Sequence, residues 1–251
     1  MQVGPEAQDG LDRRAETLIR QVLNGLEDAE VEFLVGGAFA MARHAGIMRW
    51  TKDIDLFVRP HLVEATLEVL AELGGETELT DARWLGKAKI EDLDVDLVFS
   101  SANGLCDVDD LWFEHAPRDV VAGVPVSLCP PEEMIWQKAF ILERERYDGA
   151  DVTHLLRTQA ASLDWRRLLD RFGGHSPVLL SHLILFGYIY PVERTHVPRW
   201  VFDELNERLR YNQAHALALG RICRGTLVSR TQYRIDIDDW GYVDARNPAS
   251  R

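Results

Sequence analysis

Residues 53–58 read Asp-Ile-Asp-Leu-Phe-Val, an alternation of acid and apolar side chains that suits a strand with one wet face. Successive side chains of a strand point to opposite faces, so Asp53 and Asp55 project together while Ile54 and Leu56 face a core. Two carboxylates so close repel, and each raises the pKa of the other unless a cation or a hydrogen-bond donor lies between them. A divalent cation resolves the conflict. Magnesium prefers carboxylate oxygen and completes its shell with water and phosphate oxygens, which suits an adjacent pair on a rigid strand.

Upstream, Gly36 and Gly37 separate the apolar run 31–35 from a helical pattern that stops at Gly46. Glycines at a strand-to-helix turn let backbone N–H groups and the positive helix end come close to phosphate oxygens. Downstream, the pattern of paired acids recurs in "DLDVDLVFS", where Asp94 and Asp96 share one face and Leu93, Val95 and Leu97 the other. If this strand lies beside the first, a third carboxylate joins the site, and three can hold two metal ions roughly 3.5–4 Å apart. Asp96 is the expected third ligand, because it precedes "LVFS" much as Asp55 precedes "LFV"; Asp94 is its substitute.

Around these segments, apolar spacing predicts a first amphipathic helix over Leu11–Leu26, a short buried strand in "VEFLV" and a helix in "HLVEATLEVLAELGG". "KAKI" and "DVDLVFS" form a hairpin joined by "EDL", "VDDLWFEHA" is helical, and "VVAGVPVSLC" holds one or two strands with Pro125 at an edge or turn. After Pro130 and Pro131 the pattern becomes helical, from "EEMIWQKAFILERERY" through "RWVFDELNERLRYNQ", and "SHLILFGYIYP" reads as a buried helix. The expected organisation is therefore an α/β (α+β) domain over 1–129 and a helical domain over 130–251 with a return segment at its end. In that segment "QYRIDID" alternates as a strand, and its "IDID" imitates the acid pair without a glycine turn before it.

Composition narrows the function. A formal net charge of −13 argues against broad adhesion to nucleic acid or anionic membrane, so a nucleic-acid acceptor is possible but not favoured. Cys106, Cys129 and Cys223 are scattered, as are the 8 histidines, so neither type forms a zinc-ligand spacing. No uninterrupted apolar run has the length of a membrane span and the N-terminus lacks the apolar stretch of a signal peptide, which points to the cytoplasm.

The ordered set "LVGGAFAMARHAG", "RWTKDIDLFV" and "VDLVFS" resembles the small bacterial nucleotidyltransferases of the DNA polymerase β superfamily over roughly residues 30 to 160. The matching positions are Gly36, Gly37, His44, Arg49, Thr51, Asp53, Asp55 and Asp96. The resemblance implies a mixed-sheet palm followed by a helical region. It also implies that Asp53, Asp55 and Asp96 hold two Mg2+ ions, with Mn2+ as a substitute, and that the glycines cradle the triphosphate of an NTP such as ATP. A hydroxyl then attacks the α-phosphate and pyrophosphate leaves; the acceptor is a small molecule, an RNA end or a protein. Arg49, Thr51 and Lys138 are the further nucleotide-binding positions, Asp151 braces the helices, and His44 is either a packed residue or a substrate contact. The rival expectation is a noncatalytic, antitoxin-like or regulatory module that retains the fold.

Overall fold

The computed structural model describes residues 5–47, 51–215 and 220–246. The chain separates into two compact units, Met1–Pro130 and Pro131–Arg251.

The first unit is built on a five-stranded mixed sheet in the order β1-β2-β5-β4-β3. Its strands are β1 (Leu34–Val35), β2 (Asp53–Phe57), β3 (Glu76–Asp81), β4 (Leu85–Ile90) and β5 (Leu93–Val98). Only β2 and β5 run parallel; every other neighbouring pair is antiparallel. The 2.0 period then sorts the side chains. Ile54, Leu56, Val95, Leu97, Ala88 and Ile90 form one buried face, on which α1 (Pro5–Asp28) and α3 (Val63–Glu72) pack. Each Leu, Ile or Val fully buried there contributes roughly 1.5–3 kcal/mol. Gly86 lies on this face because a Cβ would come within 3.3 Å of the Leu67 side chain of α3.

α1 forms for the expected reason, since Leu18, Ile19, Val22, Leu23 and Leu26 make one buried stripe at helical spacing. α2 (Gly37–Ala45) ends at Gly46, whose left-handed backbone (φ 68) turns its N–H onto the carbonyl of Ala42. β4 and β5 form a tight hairpin across Glu91 and Asp92, with Glu91 at φ 52. β3 is the strand that alternation does not reveal. "ETELTD" is exposed at nearly every position because it is the outer edge of the sheet, so no apolar period marks it. α4 (Asp110–Glu114) is capped by the Asp109 carboxylate. β6 (Arg118–Val121) and β7 (Val124–Ser127) pair across Ala122 and Gly123, both at positive φ, and Pro125 is tolerated in a ribbon of only two strands.

In the second unit the helices are α5 (Pro131–Lys138), α6 (Gly149–Gln159), α7 (Trp165–Phe172), α8 (Ser176–Ile189) and α9 (Arg199–Ala214). Glu133, fully buried on α5, accepts from Arg167 at 2.7 Å and Arg171 at 3.2 Å on α7, so an ion-pair network ties these helices. Two expectations are corrected. The helix expected through "ILERERY" stops at Lys138, and the chain folds back so that Leu142 bridges Tyr147. Glu143 accepts from the backbone of Arg230 at 2.7 Å and from the Ser229 hydroxyl, which makes it an anchor for the C-terminal segment. "IDID" lies in a short helix, α10 (Arg234–Asp238), with Arg234 bonded to Asp238 one turn on; the strands there are β8 (Ile222–Cys223) and β9 (Val243–Asp244).

α8 is also less enclosed than its composition suggested. Leu179, Leu180, Leu183 and Phe186 are buried, while Ile184, Leu185, Tyr188 and Ile189 are exposed. The helical run Trp165–Ile189 is long and apolar enough to cross a membrane by length and composition alone.

Candidate active site

The register of β2 and β5 brings the acids together. Asp53 is the direct partner of Asp94, and Asp55 of Asp96. These four carboxylates share the face of the sheet opposite α1 and α3, with the backbone N–H of Asp94 bonded to the carbonyl of Lys52 at 3.2 Å to extend the ladder. The hairpin adds cations to the same face: Lys87 is the partner of Asp96 and Lys89 of Asp94. Both pairs close, Lys87 Nζ at 2.7 Å from Asp96 Oδ1 and Lys89 Nζ at 3.0 Å from Asp94 Oδ1. Beyond Asp55 the face becomes apolar at Phe57, whose ring stacks on Trp112 with centroids 5.3 Å apart.

The electrostatics follow from this ladder. Burial, then the charges of Asp94 and Asp96, push the Asp53 carboxyl above the usual carboxylate range, and Lys87 and Lys89 pull it back only in part. Donating to Asp96 raises the pKa of the Lys87 ammonium, and donating to Asp94 does the same for Lys89. Asp53 is therefore a carboxylate that gains from any further positive charge placed near it.

The glycine turn abuts the acids. Gly36 donates its N–H to the carbonyl of Asp55 at 2.9 Å, so this donor is used within the sheet and the residue's part is to bring the turn onto β2. A Cβ on Gly36 would lie 2.3 Å from the Phe57 ring. Gly37, at φ 50, opens α2, and a Cβ there would fall 1.6 Å from Asp55 Oδ2. The start of the helix thus touches the side chain of the second acid. By position, the N–H groups of Gly37, Ala38 and Phe39 belong to the first turn of α2, where a helix supplies no acceptor of its own. Glycine is required at both positions for close approach and at Gly37 for backbone conformation as well.

The remaining expected positions divide. Thr51 Oγ1 accepts from the N–H of Asp53 at 3.1 Å, which fixes the entry to β2. His44 is buried, and its Nε2 donates to the carbonyl of Cys129 at 2.9 Å; that bond ties α2 to the segment after β7. Arg49 lies outside the described residues. Lys138 belongs to the second unit, where its ammonium is 3.0 Å from Asp148 and 2.9 Å from Asp151 with all three side chains at most 15% exposed. Asp151 braces α5 against α6, as expected, with Lys138 as its partner. Burial pushes Asp148 up, but bonds from Arg146 and Lys138 outweigh it and hold the carboxyl below its ordinary value.

Two residues escaped the sequence reading: Lys87 and Lys89. Their signal is the alternation in "LGKAKI", but a turn of three residues, "EDL", would set Ile90 rather than Lys89 opposite Asp94; the turn holds only Glu91 and Asp92, Leu93 joins β5, and that register pairs the lysines with the acids.

A hard divalent cation fits this donor set by chemistry, since it offers four carboxylates in adjacent register without thiolate or imidazole. Among the described residues, no three His, Cys, Asp or Glu side chains are gathered as a metal cluster, and Asp96 and Asp94 are turned to their lysines.

A family model described as nucleotidyl transferase of unknown function (DUF2204) matches residues 15–171. Among solved structures, the chain is similar to the antibiotic-resistance factor ANT(2'')-Ia at 18% identity, over 81% of this chain and 99% of that one, with a TM-score of 0.44. It is also similar to the lincosamide antibiotic adenylyltransferase LnuA bound to lincomycin, at 14% identity over 55% and 93% of the two chains with a TM-score of 0.40. A third similarity is to JHP933 from Helicobacter pylori, at 15% identity over 87% and 99% with a TM-score of 0.38. No curated protein matches the chain.

Proposed function

We propose a specific chemistry for this chain, which belongs to that nucleotidyl transferase family: transfer of a nucleoside monophosphate from an NTP to a hydroxyl acceptor. The acceptor oxygen forms a bond to the α-phosphorus, the bond from that phosphorus to the bridging oxygen breaks, and pyrophosphate leaves with the electron pair. The observation that supports this reading is the parallel register of Asp53 and Asp55 with Asp94 and Asp96, set against the glycine-bounded start of α2.

Asp53, Asp55 and Asp96 are the residues that would hold Mg2+ or Mn2+, with Asp94 able to replace Asp96. Bound metal would neutralise the phosphate charge and help to activate the attacking hydroxyl. Thr51 keeps Asp53 in place through its backbone N–H. The first turn of α2 offers N–H groups and a partial positive charge to a phosphate beside Asp55. Gly36 closes the turn that aims them. The acceptor is a small molecule, an RNA end or a protein side chain, and the cytoplasm is the proposed compartment.

A decisive assay incubates the protein with each labelled NTP, Mg2+ or Mn2+ and a cell extract, and follows the label. Transfer by the wild type and its loss in the Asp53→Asn/Asp55→Asn double variant are expected. Equal labelling by the two proteins across all four NTPs would sink the reading. NTP binding without transfer would support the second reading, a noncatalytic regulatory module, which the lysine-held Asp96 favours.

A further inference from the structure

Asp96 sits between two neighbours on the sheet. On the β2 side is Asp55, with which it would have to share a metal ion. On the β4 side is Lys87, which already holds it at 2.7 Å. The pairing is not a chance meeting of two long side chains, because Lys87 and Asp96 are direct partners in a hairpin closed by a tight turn. Cross-strand neighbours of opposite charge on one face attract, and the backbone ladder prevents them from drifting apart. The pair is also partly shielded, with Asp96 29% and Lys87 48% exposed, whereas Lys89 and Asp94 are 56% and 48% exposed.

We propose that Lys87 is a resident counter-ion of the acidic face, so that a divalent cation taking Asp96 as a ligand must displace the Lys87 ammonium from it. The inference rests on the metal-site reading above. Without metal, Lys87 relieves the repulsion among Asp53, Asp94 and Asp96; with metal, the same lysine becomes a like charge beside the ion. Lys87 is thus a positioning residue that sets the affinity of the third ligand position and is not itself a ligand. Its release would leave a mobile ammonium at the rim of the site.

The test is a calorimetric Mn2+ titration of the full chain without nucleotide, comparing wild type with Lys87→Met, Lys87→Arg, Lys89→Met and Asp53→Asn. Removing an ion-pair partner that is also a like charge near the metal should tighten Mn2+ binding roughly three- to tenfold in Lys87→Met. Lys87→Arg, which keeps the charge, should bind close to wild type, and Lys89→Met should shift less than Lys87→Met. Thermal unfolding of each variant confirms that the fold is retained.

If Lys87→Met binds Mn2+ no more tightly than wild type while Asp53→Asn abolishes binding, the counter-ion proposal is wrong and the metal site stands. If wild type and Asp53→Asn bind Mn2+ alike, or neither binds it, the metal-site reading fails and the proposal falls with it. Tightening in Lys87→Arg equal to that in Lys87→Met would also overturn it, since charge would then not be the cause.

Discussion

Three glycines at helix ends separate backbone strain from steric overlap at the acidic face. Gly46 and Gly37 both lie at positive φ, 68 and 50, but a Cβ on Gly46 would meet nothing within 4 Å, whereas one on Gly37 would fall 1.6 Å from Asp55 Oδ2. Gly46→Ala therefore reports conformational cost alone, about 1 kcal/mol once the gain from a less flexible unfolded chain is subtracted. Gly37→Ala adds an overlap with Asp55 Cγ at 2.6 Å and Cβ at 3.1 Å, which turning the carboxylate alone does not clear. Overpacking of that kind costs about 1–3 kcal/mol, so Gly37→Ala should lose about 2–4 kcal/mol in all. Gly36 has an ordinary φ of −114 but faces the Phe57 ring, so Gly36→Ala should lose stability through the Phe57–Trp112 stack without reaching the acids. Urea unfolding measures the first quantity and label transfer from NTP the second. Transfer should fall at least about 100-fold in Gly37→Ala, the scale of a 1 Å misplacement at a reacting centre. Gly46→Ala should retain transfer. A Gly37→Ala protein no less stable than Gly46→Ala, with transfer intact, would show that the start of α2 does not support Asp55.

Because the Asp53 carboxyl is raised in the folded chain, its ionised form disfavours folding at neutral pH; Asp53→Asn should raise Tm in EDTA, and Mg2+ should then raise the Tm of wild type only. Lys138→Met removes a cation shared by the largely buried Asp148 and Asp151, with Arg146 still on Asp148, and should cost about 3 kcal/mol in urea unfolding. The depressed Asp148 carboxyl stabilises the fold above its unfolded pKa of about 3.9 and is lost as pH falls through its lower folded value. Acid titration of wild type should show that loss, and Lys138→Met should reduce it, the Arg146 bond to Asp148 being retained. Thr51→Val removes the acceptor for the Asp53 N–H at a cost of about 1 kcal/mol and should slow transfer, while Thr51→Ser should restore it; equal rates in all three would show that this bond does not position Asp53.

Alternation carried most of the first unit, because a sheet with one wet face writes its period into the chain. Ile54, Leu56, Val95 and Leu97 announced the buried side, and with it the side of the acids. β3 left no such mark, since an edge strand exposed on both faces has no apolar period to show. In the second unit, "IDID" has the alternation of a strand, but an Arg234–Asp238 bond one turn apart suits a short helix just as well, and tertiary context decided. The "ERER" stretch has helix-forming residues, yet the folded-back turn lets Glu143 anchor Ser229 and Arg230, a long-range bond that no local pattern contains. Lys87 and Lys89 were legible in principle. They needed the register, which the two-residue turn at Glu91–Asp92 sets and a three-residue "EDL" turn would have shifted by one.

That hairpin has a further consequence. Its turn spans Glu91 and Asp92, remote from any contact with the glycines, yet the turn length alone decides which residues of β4 and β5 look outward. Inserting one residue there would leave every acid and lysine in the chain while exchanging the faces of β5 against β4: Val95 and Leu97 would meet water, and Asp94 and Asp96 would press into the layer beneath α1 and α3. The outward face of the acids is thus kept by a count of residues rather than by the identity of any one of them. Among relatives of this chain, length variation should be free at exposed loops and absent at Glu91–Asp92.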